Sequence, residues 1–313
     1  MFSYSRLVIV LLILSLACYP HSASILQQPA NGPQRQLILL TATVKNGAGE
    51  YVMGLERNAF ELADEKELRA VAFLESADKP FSLGVLIDTS ESMVFPDRKE
   101  FGQADVLAKA ISGFPKLSHK DNEYFLMSLV GKARLVGDWM NGKAWLDSTT
   151  EFKQEKGSTA LFDACLGGLA KLESGHYSKK VLVVVTDGID SGSKHTLNDV
   201  KESLRHSDVI LYGILVRNVM DLSSQPIEGE LVMTELSNAT GGETLIAKNL
   251  GQLERAVETI AVQLRHQYLV GFQSAGGPPN KWHRVNLRVS TAVNGHPEFS
   301  KLSVRTRRGY FSR

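Results

Sequence analysis

The sequence predicts an α/β protein: a doubly wound, mainly parallel sheet flanked by helices in a Rossmann-like arrangement, with a small β-domain formed by the two ends of the chain. Three observations predict it. SLGVLID, KKVLVVVTDG and DVILYGILV are continuous apolar runs of strand length, as expected of strands covered on both faces. Segments with helical spacing separate them, and that alternation implies parallel strands with helices on both sides. Before Pro80 and after Gln267 the pattern changes to short β segments.

Taken in order, MFSYSR carries one Arg and LVIVLLILSLAC follows without a charge. This is the layout of a secretory signal peptide over residues 1–23, too short for a comfortable membrane span. Cleavage after Ala23 or after Ala17 fits; the second would leave Cys18 first, as in a lipoprotein, although Ser15 and Leu16 fit a lipoprotein signal poorly. Residues 24–36, SILQQPANGPQRQ, read as a flexible lead-in. Residues 37–79 form an N-terminal β segment: LILLTATV, a turn at KNGAGE, a resumed strand at YVMGL, and then FELAD and RAVAF as two short strands around a charged turn.

Residues 80–266 carry the α/β alternation. After SLGVLID, the residues Phe101, Ala104, Leu107, Ala108, Ile111 and Phe114 follow helical spacing. EYFLMSLV and ARLVGDW read as a strand pair. In TALFDACLGGLAKLES, Leu161, Cys165, Leu169 and Leu172 share one stripe. HTLNDVKESLRH, GELVMTELSNATGG and LGQLERAVETIAVQLRHQ read as helices, and ETLIA as a short strand. Residues 267–313 return to strands, YLVGF, HRVNLRVS, NGHPE and KLSVRTRRGYF, expected to pack with residues 37–79 because chain termini often lie close.

The chain has 313 residues, 43% hydrophobic and 22% charged, with a net charge of +1. That is ordinary for a globular protein and gives no sign of a nucleic-acid partner. The basic C-terminal residues Arg305, Arg307, Arg308 and Arg313 read as a solvated edge strand. With two cysteines, Cys18 and Cys165, and the first expected to leave with the signal, no internal disulfide is expected; Cys165 reads as a small core hydrophobe.

Two buried strands end in polar clusters. One gives Asp88-Thr89-Ser90-Glu91-Ser92, the other Thr186-Asp187-Gly188. Between them Lys156-Gly157-Ser158-Thr159-Ala160 directly precedes a helix, which Thr159 could also simply cap. In an open parallel sheet, ligands bind beyond the carboxyl ends of strands. Carboxylates with serine and threonine hydroxyls are hard oxygen donors, suited to Mg²⁺, Mn²⁺ or Ca²⁺ rather than zinc.

LIDTSESM, GSTALFDA and VVVTDGID, in this order, resemble the three sequence pieces of a von Willebrand factor type A domain. Asp88, Ser90 and Ser92 match the Asp-x-Ser-x-Ser of that family's metal-ion-dependent adhesion site; Thr159 and Asp187 match its threonine and later aspartate. The resemblance covers residues 80–266. It implies that Ser90, Ser92 and Thr159 contact a divalent ion directly, and that Asp88 and Asp187 bind directly or through water. It also implies a non-catalytic module whose partner protein offers an exposed Asp or Glu as the last ligand. Glu91 stands where the family often has glycine and is not a ligand by the motif. The flanks are similar to those of bacterial exported proteins of the type A-related group, which implies a periplasmic, cell-surface or secreted protein without a membrane span after signal removal. Oligomeric state is not readable.

Other classes are disfavoured by the residues themselves. A phosphohydrolase with a nucleophilic Asp needs a second carboxylate two positions on, where Ser90 stands. Phosphate loops and a Gly-x-Ser-x-Gly elbow are missing, and the eight histidines form no His-x-x-x-His pair. A metal-independent scaffold is the other non-enzymatic reading.

Overall fold

Strand β5 (Ser82–Ile87) is buried along its whole length, because it runs through the middle of a six-stranded sheet and is covered on both faces. The computed structural model describes residues 35–75, 78–93, 103–148, 155–217, 225–290 and 302–312. The expected signal and most of the lead-in, Phe101 and the NGHPE strand lie outside them.

The central sheet contains β5, β6 (Glu123–Ser128), β7 (Arg134–Met140), β8 (Lys180–Thr186), β9 (Ile210–Val216) and β10 (Thr244–Ala247). Their order is β10-β9-β8-β5-β6-β7. All pairings are parallel except β6 with β7, which is antiparallel at the edge. The strand order therefore reverses between β5 and β8, the topological switch point at which open α/β sheets bind ligands.

Alternation along β5 and β8 separates two cores. Leu83, Val85 and Ile87 join Val181, Val183 and Val185 on the face covered by α1 (Gln103–Ile111) and α7 (Leu250–Arg265). Leu86, Leu182 and Val184 face α4 (Leu161–Glu173), α5 (Leu197–His206) and α6 (Gln225–Thr240). The buried Cys165 packs in this second core, where burial pushes its thiol up to about 12. The helical spacing expected to run through Phe114 breaks after Ile111, and Phe114 falls in a separate short helix, α2 (Gly113–Leu117). A further short helix, α3 (Gly142–Ser148), buries Trp145 and was not anticipated from the sequence.

The flanks form two antiparallel sheets that enclose a third core. In one, β1 (Leu37–Lys45) lies between β11 (Gln267–Gln273) and β13 (Ser303–Arg305), and β11 also pairs with β4 (Val71–Glu75). In the other, β12 (Trp282–Val289) pairs with β2 (Phe60–Asp64) and β14 (Gly309–Phe311), and β2 pairs with β3 (Glu67–Arg69).

Two expectations are corrected. FELAD and RAVAF do not form one hairpin: β2 turns into β3, while Val71–Glu75 crosses to the other sheet. YVMGL is not a strand but a single bridge, Lys45 to Tyr51, followed by Gly54 at φ +78, a conformation that ends pairing. Only one residue separates α7 from β11, so the last helix of the α/β layer runs directly into a central strand of the β-layers.

Candidate metal centre

Asp88 follows β5 and is completely buried. Its backbone N–H continues the sheet by donating to Val185 O at 2.9 Å. One carboxylate oxygen, Oδ1, accepts from the Ser90 N–H at 2.9 Å, a local turn that Asp makes with its own backbone two residues on. The other, Oδ2, accepts from Thr159 Oγ1 at 3.3 Å and Thr186 Oγ1 at 3.1 Å. Burial raises the Asp88 carboxyl above the usual carboxylate range; the Ser90 and Thr186 hydrogen bonds act against that, and the nearby Asp187 charge adds to it.

The Ser90 and Ser92 hydroxyls touch, Oγ to Oγ at 2.9 Å; Ser90 is buried and Ser92 exposed. Asp187 follows β8, beside Asp88 on the neighbouring strand. It is half-buried, and its Oδ1 accepts from the Ile189 N–H at 3.0 Å. The structure therefore links Asp88, Ser90, Ser92 and Thr159 by hydrogen bonds and brings Asp187 in through the adjacent strand end.

Thr159 does not cap α4. The N-cap is Ala160, and no side chain caps from that position. The first amides of α4 are taken instead by the loop after β8: Phe162 N and Asp163 N donate to Ser193 Oγ at 3.0 and 3.1 Å. Ser193 is itself held by Asp190 at 2.5 Å. Thr159 is fixed by its backbone, donating its N–H to Ser191 Oγ at 3.0 Å and accepting at its carbonyl from Ser191 N and Gly192 N. Its hydroxyl is left to face Asp88.

Thr186 and the 189–193 loop are neighbours of the candidate centre that the sequence reading did not assign. Thr186 is read there only as part of a polar strand end, and residues 189–193 are given no role. Gly188 has φ +87 and lies so close to α6 that a Cβ would meet Gly229 Cα at 2.6 Å. Glu91 leans away toward Lys156, 3.6 Å distant, and both are exposed.

The donors fit a hard divalent ion. All are oxygens, as Mg²⁺ requires. Two ligands at right angles around an ion with bonds of about 2.0–2.1 Å sit about 2.9 Å apart, and the Ser90 and Ser92 hydroxyls are 2.9 Å apart. With only two carboxylates the set is unlike an acidic cage, and among the described residues no group of three His, Cys, Asp or Glu side chains is placed to hold a metal.

The sheet order, with its antiparallel edge strand, and three loops converging at the switch point now stand together. The described part of residues 80–266 has the doubly wound α/β fold expected of a von Willebrand factor type A domain. No family model matches the chain, and no curated protein matches it. Among solved structures, proximal thread matrix protein 1 from the mussel byssus is similar over 64% of this chain and 50% of that one, at 12% identity and a TM-score of 0.50. A von Willebrand factor type A protein from Catenulispora acidiphila matches over 89% of this chain and 74% of that one (11% identity, TM-score 0.48). The conserved hypothetical protein BatB from Bacteroides thetaiotaomicron matches over 59% and 98% (13% identity, TM-score 0.47). At such identities the likeness concerns the fold alone. Among the described residues no helix is long and apolar enough to cross a membrane.

Proposed function

We propose that this type A domain is an exported, non-catalytic recognition module that binds a partner protein through a divalent ion, Mg²⁺ or the related Mn²⁺ or Ca²⁺. Asp88, Ser90, Ser92, Thr159 and Asp187 would hold it. The observation that carries the reading is the buried Asp88 carboxylate, which gathers hydroxyls from two other chain segments onto one oxygen at the ligand-binding end of the sheet.

When bound, the ion supplies a Lewis-acidic position for a carboxylate of the partner. The chain's own residues do the rest. Thr159 and Thr186 orient Asp88 Oδ2, and the Ser90 amide orients Oδ1. Neutral hydroxyls make up most of the donor set, so the site would carry little compensating negative charge and favour an acidic partner. Asp88 as a nucleophile is not supported: the residue two positions on is Ser90, which cannot serve as the acid/base partner.

Calorimetric titration of Mg²⁺ and Mn²⁺ into chelator-stripped protein tests the reading, with Asp88→Ala and Asp187→Ala beside it. One-site binding lost in both variants supports it. No heat in the wild type, with or without a Glu-containing peptide in the cell, would leave the metal-independent scaffold as the better reading.

A further inference from the structure

A second site lies at the other end of α6. Gly241 ends that helix at φ +83, and its backbone abuts the link between β13 and β14; a Cβ there would lie 2.5 Å from Thr306 C. Beside this junction is a cleft of about 620 Å³ between α5, the end of α6 and residues 304–308. Such a volume is within the range of ligand-binding clefts. Five cationic side chains line it against one carboxylate, Glu235.

The pairing of those charges is uneven. Lys201 is matched by Glu235 at 2.5 Å and Arg305 by Glu243 at 3.0 Å. Arg307 is buried and structural, bonding Asp208, Ser207 O and Leu39 O and so stitching the α/β layer to the β-layers. Arg205 has, among the described residues, Glu202 at 3.9 Å as its one ion-pair partner and lies over the Trp282 ring at 5.8 Å. Arg308 is exposed and has no ion pair among the described residues. The Thr306 hydroxyl is out of reach of solvent and has no hydrogen-bond partner among the described residues. Two guanidinium forks from separate elements, Arg205 of α5 and Arg308 in the link between β13 and β14, thus line one cleft, a donor set that matches carboxylates.

We propose that this cleft binds an acidic segment of a protein, its carboxylates taken by Arg205 and Arg308. Two features favour a peptide over a dense polyanion such as a sulfated sugar. Glu235 in the lining repels closely spaced anions but can accept from a peptide N–H. The side chains of Asn238 and Asn286 offer the paired donor and acceptor that a peptide group needs. The site is independent of the proposed ion centre: Gly229, which touches the Asp187 loop, and Gly241 are twelve helical residues apart, about 18 Å.

The test is fluorescence anisotropy of a labelled hexaglutamate peptide with the purified full chain, at low and high salt and with and without chelator. Saturable binding that weakens with salt, is indifferent to chelator and falls at least tenfold in Arg205→Glu/Arg308→Glu is expected. Arg308→Gln, a surface change that breaks no described contact, should weaken it severalfold with unchanged thermal unfolding. Lys120→Glu, exposed and outside the cleft, should leave it unaltered. Loss of binding in chelator would place the peptide at the ion site and overturn the proposal. So would tighter binding of a sulfated oligosaccharide than of the peptide, equal binding by the double reversal, or no binding at low salt.

Discussion

Gly229 of α6 lies against the backbone of Asp187: a Cβ at position 229 would sit 2.4 Å from the Asp187 carbonyl oxygen. Real Cβ atoms do not approach a carbonyl so closely, so any larger residue must push the Asp187–Gly188 turn away from the helix.

This contact gives a first prediction. In a helix interior Ala is favoured over Gly by about 1 kcal/mol, so Gly229→Ala gains local helix stability while displacing the turn. Metal affinity should fall at least tenfold while the melting temperature drops by only a few degrees. Titration calorimetry and thermal unfolding of the same preparation check it; unchanged affinity would mean that the turn does not set the position of Asp187.

Asp88 supports a prediction with a definite sign. Burial raises its carboxyl in the folded state, so the native protein binds a proton more readily there than the unfolded chain does. Stability is then lost as pH rises from the ordinary carboxylate range through the raised folded value. Asp88→Asn removes the charge but keeps the shape and the acceptor for Ser90 N. In chelator at pH 7 it should melt above the wild type, and the gap should close as pH falls to 4 and below. Saturating Mg²⁺ should reverse the order, because only the wild type gains stability by binding.

Much of this centre was legible in the sequence, and the reason is physical. Asp88 and Asp187 follow apolar runs that have to be buried strands, so their polar neighbours must gather at one end of a sheet. Local pattern also marks α5, where Thr196 and Asp199 form a capping box. What escaped depends on approach between distant segments. Gly229 reads only as the first residue of a helical segment. Thr186 looks like a strand end, though its hydroxyl is aimed at Asp88 from 98 residues away. Arg307 belongs to a basic tail that reads as solvated, yet it is buried among Leu39, Ser207 and Asp208. Val71–Glu75 was assigned to the right class but the wrong partner, because alternation fixes a strand's faces and not its sheet.

Lys179 gives a prediction away from the candidate centre. Its ammonium is buried, donates to Leu264 O at the end of α7 and lies over the Phe81 ring at 5.2 Å. Burial pulls it down to about 7, against the attraction of Asp78 and Glu75. Here the folded value lies below the unfolded one, near 10.4. The unfolded chain therefore binds more protons between about pH 7 and 10, and stability rises with pH across that window. Chemical unfolding of the wild type from pH 6 to 10, minus that of Lys179→Met, should show this rise. A flat difference would mean that Lys179 keeps its charge in the fold.

The last prediction separates holding Asp88 from holding an ion. Thr159 and Thr186 both donate to Asp88 Oδ2, at 3.3 and 3.1 Å. Replacing Thr159 with Val removes one of these hydrogen bonds, worth about 1 kcal/mol of stability; replacing Thr186 removes two, because its oxygen also serves Gly188 N, so on structural grounds Thr186→Val should be the more destabilised variant. Thr186 is completely buried behind the carboxylate, and its oxygen already accepts from Gly188 N at 3.0 Å. Thr159 Oγ1 reaches Asp88 from the loop across the switch point, where the proposed ion would sit. Thr159→Val should therefore abolish Mg²⁺ binding in calorimetry, whereas Thr186→Val should weaken it by less than tenfold although it lowers the melting temperature more. Equal loss of binding in both would assign Thr159 the same supporting role as Thr186 and remove it from the ligand set.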